Sequence, residues 1–403
     1  MLDAALAQID ADALARDLAA LVRIPSLTGD ERAAAELYAQ LAQHQGLAAR
    51  VVEHDLQALR AHPDHPGEEA ERRTLVGAVA THANPGRPRL CLNGHIDVVG
   101  PGEQAWQRPP FSGEIADGFV HGRGSADMKG GVIAALHAAG AVARVAGTDA
   151  PYELVLQAVA SEEDGGLGTF AALEDDDRFD AALIPEPTAM GIAAAQAGAL
   201  TFSGIIPGVP AHAAVRLEGI SAIDRYVEVH RALAEHERRI NATPGHPLLA
   251  PLELPYPLLV GRVHAGQWSS QVPDLLTFEG RVGVRVDETV ETARANLEAA
   301  VHAVCPEARI AWTGGQFAPG ATDPDHPFVQ AVARAAREET GTTPPLLGVP
   351  YGSDMRLFCA RGIPCVMFGP PGLELAHAVD ERVSVAALVE VARVLVRLLL
   401  ARP

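Results

Sequence analysis

The chain has 403 residues, 48% of them apolar, which is ample for a large core and favours two domains over one. Its formal net charge of −19 argues against nucleic acid and anionic membranes as partners. No apolar run reaches the length of a bilayer span, and Met1-Leu-Asp-Ala-Ala lacks a basic signal-type start, so a cytoplasmic location is the expectation.

In chain order, residues 11–22 and 30–45 have helical periodicity, broken by Pro25. Residues 48–54, 74–80 and 88–93 read as strands, with a loop from His62 through an acidic run between the first two. An Ala-rich helix over 130–146 opens at Gly130 and Gly131, followed by strand 152–159, helix 166–175 and strand 180–184. Strands alternating with helices imply a three-layer, mostly parallel α/β sheet. The pattern changes near residue 198. Strand 199–206, helix 221–240, strands 258–263 and 275–286, helix 290–304 and strand 308–312 give the β-α-β-β-α-β order of a ferredoxin-like α+β unit. The first pattern then resumes with helix 327–340, strand 363–368 and helix 384–401. A catalytic domain of residues 1–198 and 315–403 is therefore expected, with residues 199–314 inserted.

Polar residues cluster just past the apolar runs, where α/β proteins keep their chemistry. Gly94-His-Ile-Asp97 follows one strand, and with one residue between them Asp97 can fix the tautomer of a metal-bound His95. Equally, His95 can be a buried histidine that Asp97 hydrogen-bonds. Asp127 follows the Gly-rich turn at Gly122 and Gly124, placed either to bridge two metals or to cap the helix near Gly130. Glu162 and Glu163 are adjacent, so they cannot face the same way, which suits one metal ligand and one proton-handling base. The plain alternative is an exposed acidic loop. Glu186 stands between two prolines, and His377 follows Gly369-Pro-Pro-Gly372. Histidines and carboxylates from five strand ends suit a divalent metal, zinc above all, with cobalt or manganese as substitutes.

Lys129 is the only lysine. Either it persists by chance on an exposed loop, or a compact point charge is needed beside Asp127. Cys91, Cys305, Cys359 and Cys365 form no C-x-x-C pair and read as buried free thiols.

The whole chain resembles the aminoacylase, acetylornithine deacetylase, succinyl-diaminopimelate desuccinylase and carboxypeptidase G family of dizinc amidohydrolases (metallopeptidase clan MH). The resemblance rests on Gly94-His-Ile-Asp97, Gly122-Arg-Gly-Ser-Ala-Asp-Met-Lys-Gly130, Ser161-Glu-Glu-Asp164, Glu186-Pro-Thr188, Pro210-Ala-His212, Gly352-Ser-Asp354 and His377-Ala-Val-Asp-Glu381. It implies two divalent ions bridged by Asp127, one completed by Glu163 and His377, the other by His95 and Glu186. It further implies Glu162 as general base and acid, Asp97 as the group that orients His95, and the inserted domain as lid and dimerisation domain. His212, an ordinary loop histidine on its own evidence, is implied to act across a homodimer on the scissile carbonyl. Two positions depart from the family: Ser270 stands where an Asn is common, and Gly283 where an arginine is common. Arg281 and Arg285 flank Gly283 on one strand face, and either can grip a substrate carboxylate. Ser270 and Asp354 complete the expected substrate contacts. The implied reaction removes an N-acyl group from an amino acid or similar small amide. A dipeptidase or carboxypeptidase with the same centre is the enzymatic alternative, and a small-ligand binding protein on this scaffold is the non-enzymatic one.

Overall fold

In the computed structural model, which describes residues 1–402, the chain builds a nine-stranded sheet, a four-stranded sheet and a small three-stranded one. The large sheet runs Ala48–His54, Leu75–His82, Glu153–Val159, Arg89–His95, Ala181–Ile184, Cys365–Met367, Ile192–Gln196 and Gly320–Ala321, with Leu346–Val349 also paired to Ile192–Gln196. Its four central strands, from Glu153–Val159 to Cys365–Met367, are parallel, whereas the pairs at the Ala48–His54 edge are antiparallel. The central strands are buried along nearly their whole length, as strands covered on both faces must be.

Register fixes the site. His95 pairs with Val159, Leu92 with both Leu156 and Leu183, and Met367 with Ile184. Neighbouring parallel strands therefore release their chains at one edge: His95 ends its strand, Glu162, Glu163 and Glu186 follow theirs within four residues, and His377 stands ten residues past the end of its own. Leu92, Leu156 and Leu183 are each at most 3% exposed and hold this edge rigid. Truncating one to alanine costs roughly 2–5 kcal/mol.

The helix Gly130–Ala146 is buried almost throughout and packs against Val385–Leu400. Contrary to expectation, the segment Ser125–Asp149 is long and apolar enough to cross a membrane, but 78% of its apolar window is buried inside the protein. Its glycines allow close approach: a Cβ on Gly131 would lie 1.9 Å from the Pro185 carbonyl oxygen, beside Glu186.

The inserted unit has strand order Leu258–Ala265, Leu275–Val284, Gly198–Pro207, Arg309–Phe317, all antiparallel. Helices Ala222–Ile240 and Val290–His302 share its core, built on Phe202, Phe278, Leu233, Leu297 and Val301. This is the ferredoxin-like order, and the inserted lid is as expected. The last strand runs on to Phe317, beyond residue 314. Strand Ile192–Gln196 escaped the sequence reading because its alanines give neither β-branched content nor alternation.

Lys129 is not on an exposed loop. Its side chain is buried, and Nζ donates to the carbonyls of Leu21 (3.1 Å) and Ile24 (3.0 Å) at the end of helix Ala11–Val22. A helix C-terminus leaves carbonyls unpaired and carries partial negative charge, and a compact ammonium satisfies both. Burial pushes its pKa down to about 7, opposed by the charges of Glu381 and Asp97. The four cysteines are free thiols, Cys359 half-buried and the rest buried.

Candidate metal centre

Asp127 stands at the middle of the cluster. Its Oδ1 lies 3.2 Å from His95 Nε2 and its Oδ2 3.5 Å from His377 Nε2. Glu163 Oε2 is 3.0 Å from the same His377 nitrogen, and Glu186 Oε1 is 4.0 Å from His95 Nε2. The carboxylate thus offers one oxygen to each of two histidine–glutamate pairs. Ligand atoms of His95, Asp127 and Glu163 all lie within 4.8 Å of one another. This donor set fits divalent ions: two imidazole nitrogens, three carboxylates and room left for water and substrate.

The charges agree. Burial alone would raise the pKa of Asp127, but hydrogen bonds with His377 and His95 outweigh it and hold the carboxyl well below its usual range. His377, contacted by Asp127 and Glu163, is raised to about 10. Burial opposes charge on His95, yet Asp127, Glu186 and Glu162 raise it well above the ordinary value. Burial lifts Glu186 to about 8, against the pull of His95.

Glu162 and Glu163 line the same pocket, but only Glu163 contacts His377. Glu162 touches neither histidine within ion-pair distance, is 9% exposed and lines a pocket of about 360 Å³ with Asp127, Glu163, Glu186, His377 and Arg281. Burial first, then Asp354, Glu186 and Glu163, raise its pKa well above the carboxylate range despite His95. A carboxyl so placed is suited to hold and pass on a proton.

Asp97 works differently from expectation. The group that fixes the tautomer of His95 is the backbone carbonyl of Asp97, 2.9 Å from Nδ1, while the carboxylate stays 3.6 Å away. That carboxylate accepts instead from the backbone N–H of Glu162 (3.2 Å) and Glu163 (3.3 Å) and from Thr28 Oγ1 (3.0 Å). It pins the two glutamates rather than the histidine.

Two further carboxylates of the sequence motifs, Glu381 and Asp164, support the site from behind. Glu381, fully buried, accepts from Arg123 Nη1 (2.7 Å) and from the backbone N–H of Gly124 (3.0 Å), Ala126 (2.9 Å) and Asp127 (3.2 Å). It shapes the turn that presents Asp127, which begins at Gly124 with φ 81°. Asp164 accepts from Ser161 Oγ, Arg72 Nη2 and the N–H groups of Glu69 and Ala70, which ties the glutamate turn to the His62 loop. The only sequence signal for either was its fixed offset from a candidate ligand.

Of the expected substrate contacts, only Arg281 lines the metal pocket. Arg285 lies past the end of strand Leu275–Val284, and its guanidinium is engaged by Asp287, Thr243 and the Ile240 carbonyl. It packs within the lid and does not reach the pocket. Asp354 is 1% exposed behind the wall, with neither carboxylate oxygen hydrogen-bonded, and burial raises it to about 6. Ser270 and His212 share a separate lid pocket with Trp268, outside the metal site of their own chain. His212 accepts one bond, at Nδ1 from Ala214 N–H (3.2 Å).

A sequence model of peptidase family M20/M25/M40 matches residues 91–401. The succinyl-diaminopimelate desuccinylase of Methylobacterium radiotolerans is 30% identical over 394 residues, covering 94% of this chain and 93% of the relative. The N-formyl-4-amino-5-aminomethyl-2-methylpyrimidine deformylase of Bacillus subtilis is 28% identical over 334 residues, covering 76% and 77%. Among solved structures, human carnosine dipeptidase 1 superposes with a TM-score of 0.74 at 17% identity, covering 99% of this chain and 98% of its own, a likeness of fold.

Proposed function

The chain belongs to peptidase family M20/M25/M40, a metal-dependent amidohydrolase by that membership, and on this premise we propose that it removes an N-acyl group from an amino acid or similar small amide. The observation that carries the reading is Asp127 turned toward two histidine–glutamate pairs, with a buried Glu162 and a lid arginine on one pocket. The residues that would hold two metals are His95, Asp127 and Glu186 on one side and Asp127, Glu163 and His377 on the other. Zinc suits this mixed donor set, with cobalt or manganese as substitutes. Bound there, the metals would acidify water and polarise the amide carbonyl. Glu162 would take the proton from the attacking water at its carboxylate and return it to the leaving amine nitrogen, so its raised pKa serves both steps. Arg281 would pair with the substrate carboxylate and fix the scissile bond over Glu162.

A homodimer is part of this reading. Helix Ala222–Ile240 exposes Ile223 and Val227 one turn apart, and the adjoining edge strand Leu258–Ala265 exposes Leu259 and Val263. An unpaired edge beside an apolar helix face suits an isologous contact. His212, apart from its own metal pocket, would then serve its partner's.

The test is a panel of N-succinyl, N-acetyl and N-formyl amino acids with dipeptides, assayed on zinc- or cobalt-loaded protein. Amine release from the acylated amino acids supports the proposal. Faster turnover of dipeptides replaces it with a dipeptidase, and no turnover of any compound rejects both.

A further inference from the structure

A second cleft, of about 560 Å³, opens between the lid and the catalytic domain. It is distinct from the metal pocket: Phe317 lines the latter, and Arg356 stacks on that ring (4.4 Å) while lining the second cleft. Arg294 of the lid helix Val290–His302 and His65 line it as well.

The charges here are poorly paired: Arg356 feels the buried Asp354 carboxylate, but no hydrogen bond joins the two. Arg294 gives one Nη to Gln316 Oε1 (2.8 Å), and Arg356 gives one to the Gly165 carbonyl (2.6 Å). Neither forms an ion pair among the described residues. Arg294 Nε, Arg356 Nε and His65 Nε2 are all buried without a hydrogen-bond partner. Arg356 is 3% exposed, so its charge is not simply handed to solvent. Three carboxylates also line the cleft, but Asp64, Glu174 and Glu291 are all exposed, and Glu174 is already paired with Arg361. In a chain with 51 acidic residues against 32 Lys and Arg, two guanidiniums that line one cleft without an ion pair are informative. A buried charge is normally compensated, and planar guanidiniums match planar or tetrahedral oxyanions.

We propose that this cleft binds a small oxyanion, carboxylate or phosphate, which bridges Arg294 of the lid to Arg356 of the catalytic domain. The site is independent of the deacylase reading. Its position gives it a consequence: Arg356 holds Gly165, in the turn that carries Glu162 and Glu163, and Gln316 N–H donates to Pro66 O (3.0 Å) across the same junction. An anion there clamps the lid against the turn that bears Glu162, and so acts as an effector of lid orientation.

Inorganic phosphate and, separately, succinate would be titrated calorimetrically into the full metal-loaded chain at constant ionic strength. The comparison is wild type against Arg294→Gln and Asp127→Asn. One saturable site per chain should survive Asp127→Asn, which disturbs the metal pocket, and weaken at least about tenfold in Arg294→Gln, the loss of a forked charge-assisted contact. Tighter binding of phosphate or of succinate tells which oxyanion the cleft prefers. If Arg294→Gln fails to fold, Arg294→Lys keeps the charge without the fork and should still weaken binding. The proposal is overturned if neither anion saturates a site, if Arg294 variants that fold bind like wild type, or if all binding vanishes with Asp127→Asn.

Discussion

On the sheet side of the pocket, one buried carboxylate, Glu381, accepts four hydrogen bonds and shapes the Asp127 turn, while Asp97 pins both Glu162 and Glu163. On the lid side, His212 accepts a single bond, Trp268 is 72% exposed and Leu217 is 92% exposed. The first region is tightly tied: His95, Asp127 and Glu163 are each held by a backbone carbonyl or a buried carboxylate. The second is built to meet something else. By our reading, the difference teaches that metal placement would belong to one chain, whereas substrate alignment would depend on the lid and a second copy.

The sharpest break of that comparison is at Glu162. Glu162→Gln should keep both metals and lose roughly 10²–10⁴-fold in kcat, the usual share of acid–base catalysis. Activity within a few-fold of wild type, by steady-state kinetics with metal analysis, would assign the proton to another group. His212→Ala should also lower kcat without releasing metal. Mixing it with Glu162→Gln chains should restore part of the activity, because one hybrid site then carries an intact Glu162 and a partner's intact His212. No rescue despite proven subunit exchange would return His212 to the status of a loop histidine and leave the lid side unfinished for another reason.

On the sheet side the expected effect is smaller and of another kind. Glu381→Ala should weaken metal affinity roughly 10–100-fold, as loss of a group supporting a ligand does. Competition with a chromophoric chelator reads this directly, and Glu381→Gln, which keeps part of the donor–acceptor pattern, should fall between. An unchanged affinity would mean that the Asp127 turn holds its shape without Glu381.

The smallest effect concerns pH and lies inside the lid. Burial, with Arg239 adding to it, depresses His236 to about 4 from an ordinary 6.5. The unfolded chain therefore binds a proton that the folded one refuses as pH falls through that window. The stability this neutral histidine contributes is present above about pH 6.5 and is lost as the pH falls toward 4. His236→Gln should flatten the fall of lid stability over that range, measured by hydrogen exchange of helix Ala222–Ile240. A slope equal to wild type would show that the sheet side, not the lid, governs acid sensitivity.

The element order was legible because apolar periodicity is local: helix Pro327–Thr340 and strand Ala48–His54 stand where the pattern puts them. The candidate ligands were legible for a related reason. Four of the five, His95, Glu163, Glu186 and His377, stand at or beyond the ends of buried strands of the large sheet, and parallel register carries those ends to one edge. Hydrogen-bond partnership was not legible, because it depends on distances between segments far apart in sequence. Asp97 serves the glutamates 65 and 66 positions on, and Glu381 serves a turn some 255 positions before it. Lys129 looked like a loop charge beside Asp127, and folding buried it against the end of helix Ala11–Val22. Arg281 and Arg285 looked equivalent on one strand until the strand ended at Val284 and left only Arg281 on the pocket. By itself, then, the sequence determined which residue types stand at the strand ends, because strand length and side-chain period are properties of the local chain. Tertiary structure decided which of them meet, since a hydrogen bond or ion pair acts over a few ångströms and only the packed sheet and lid set those distances.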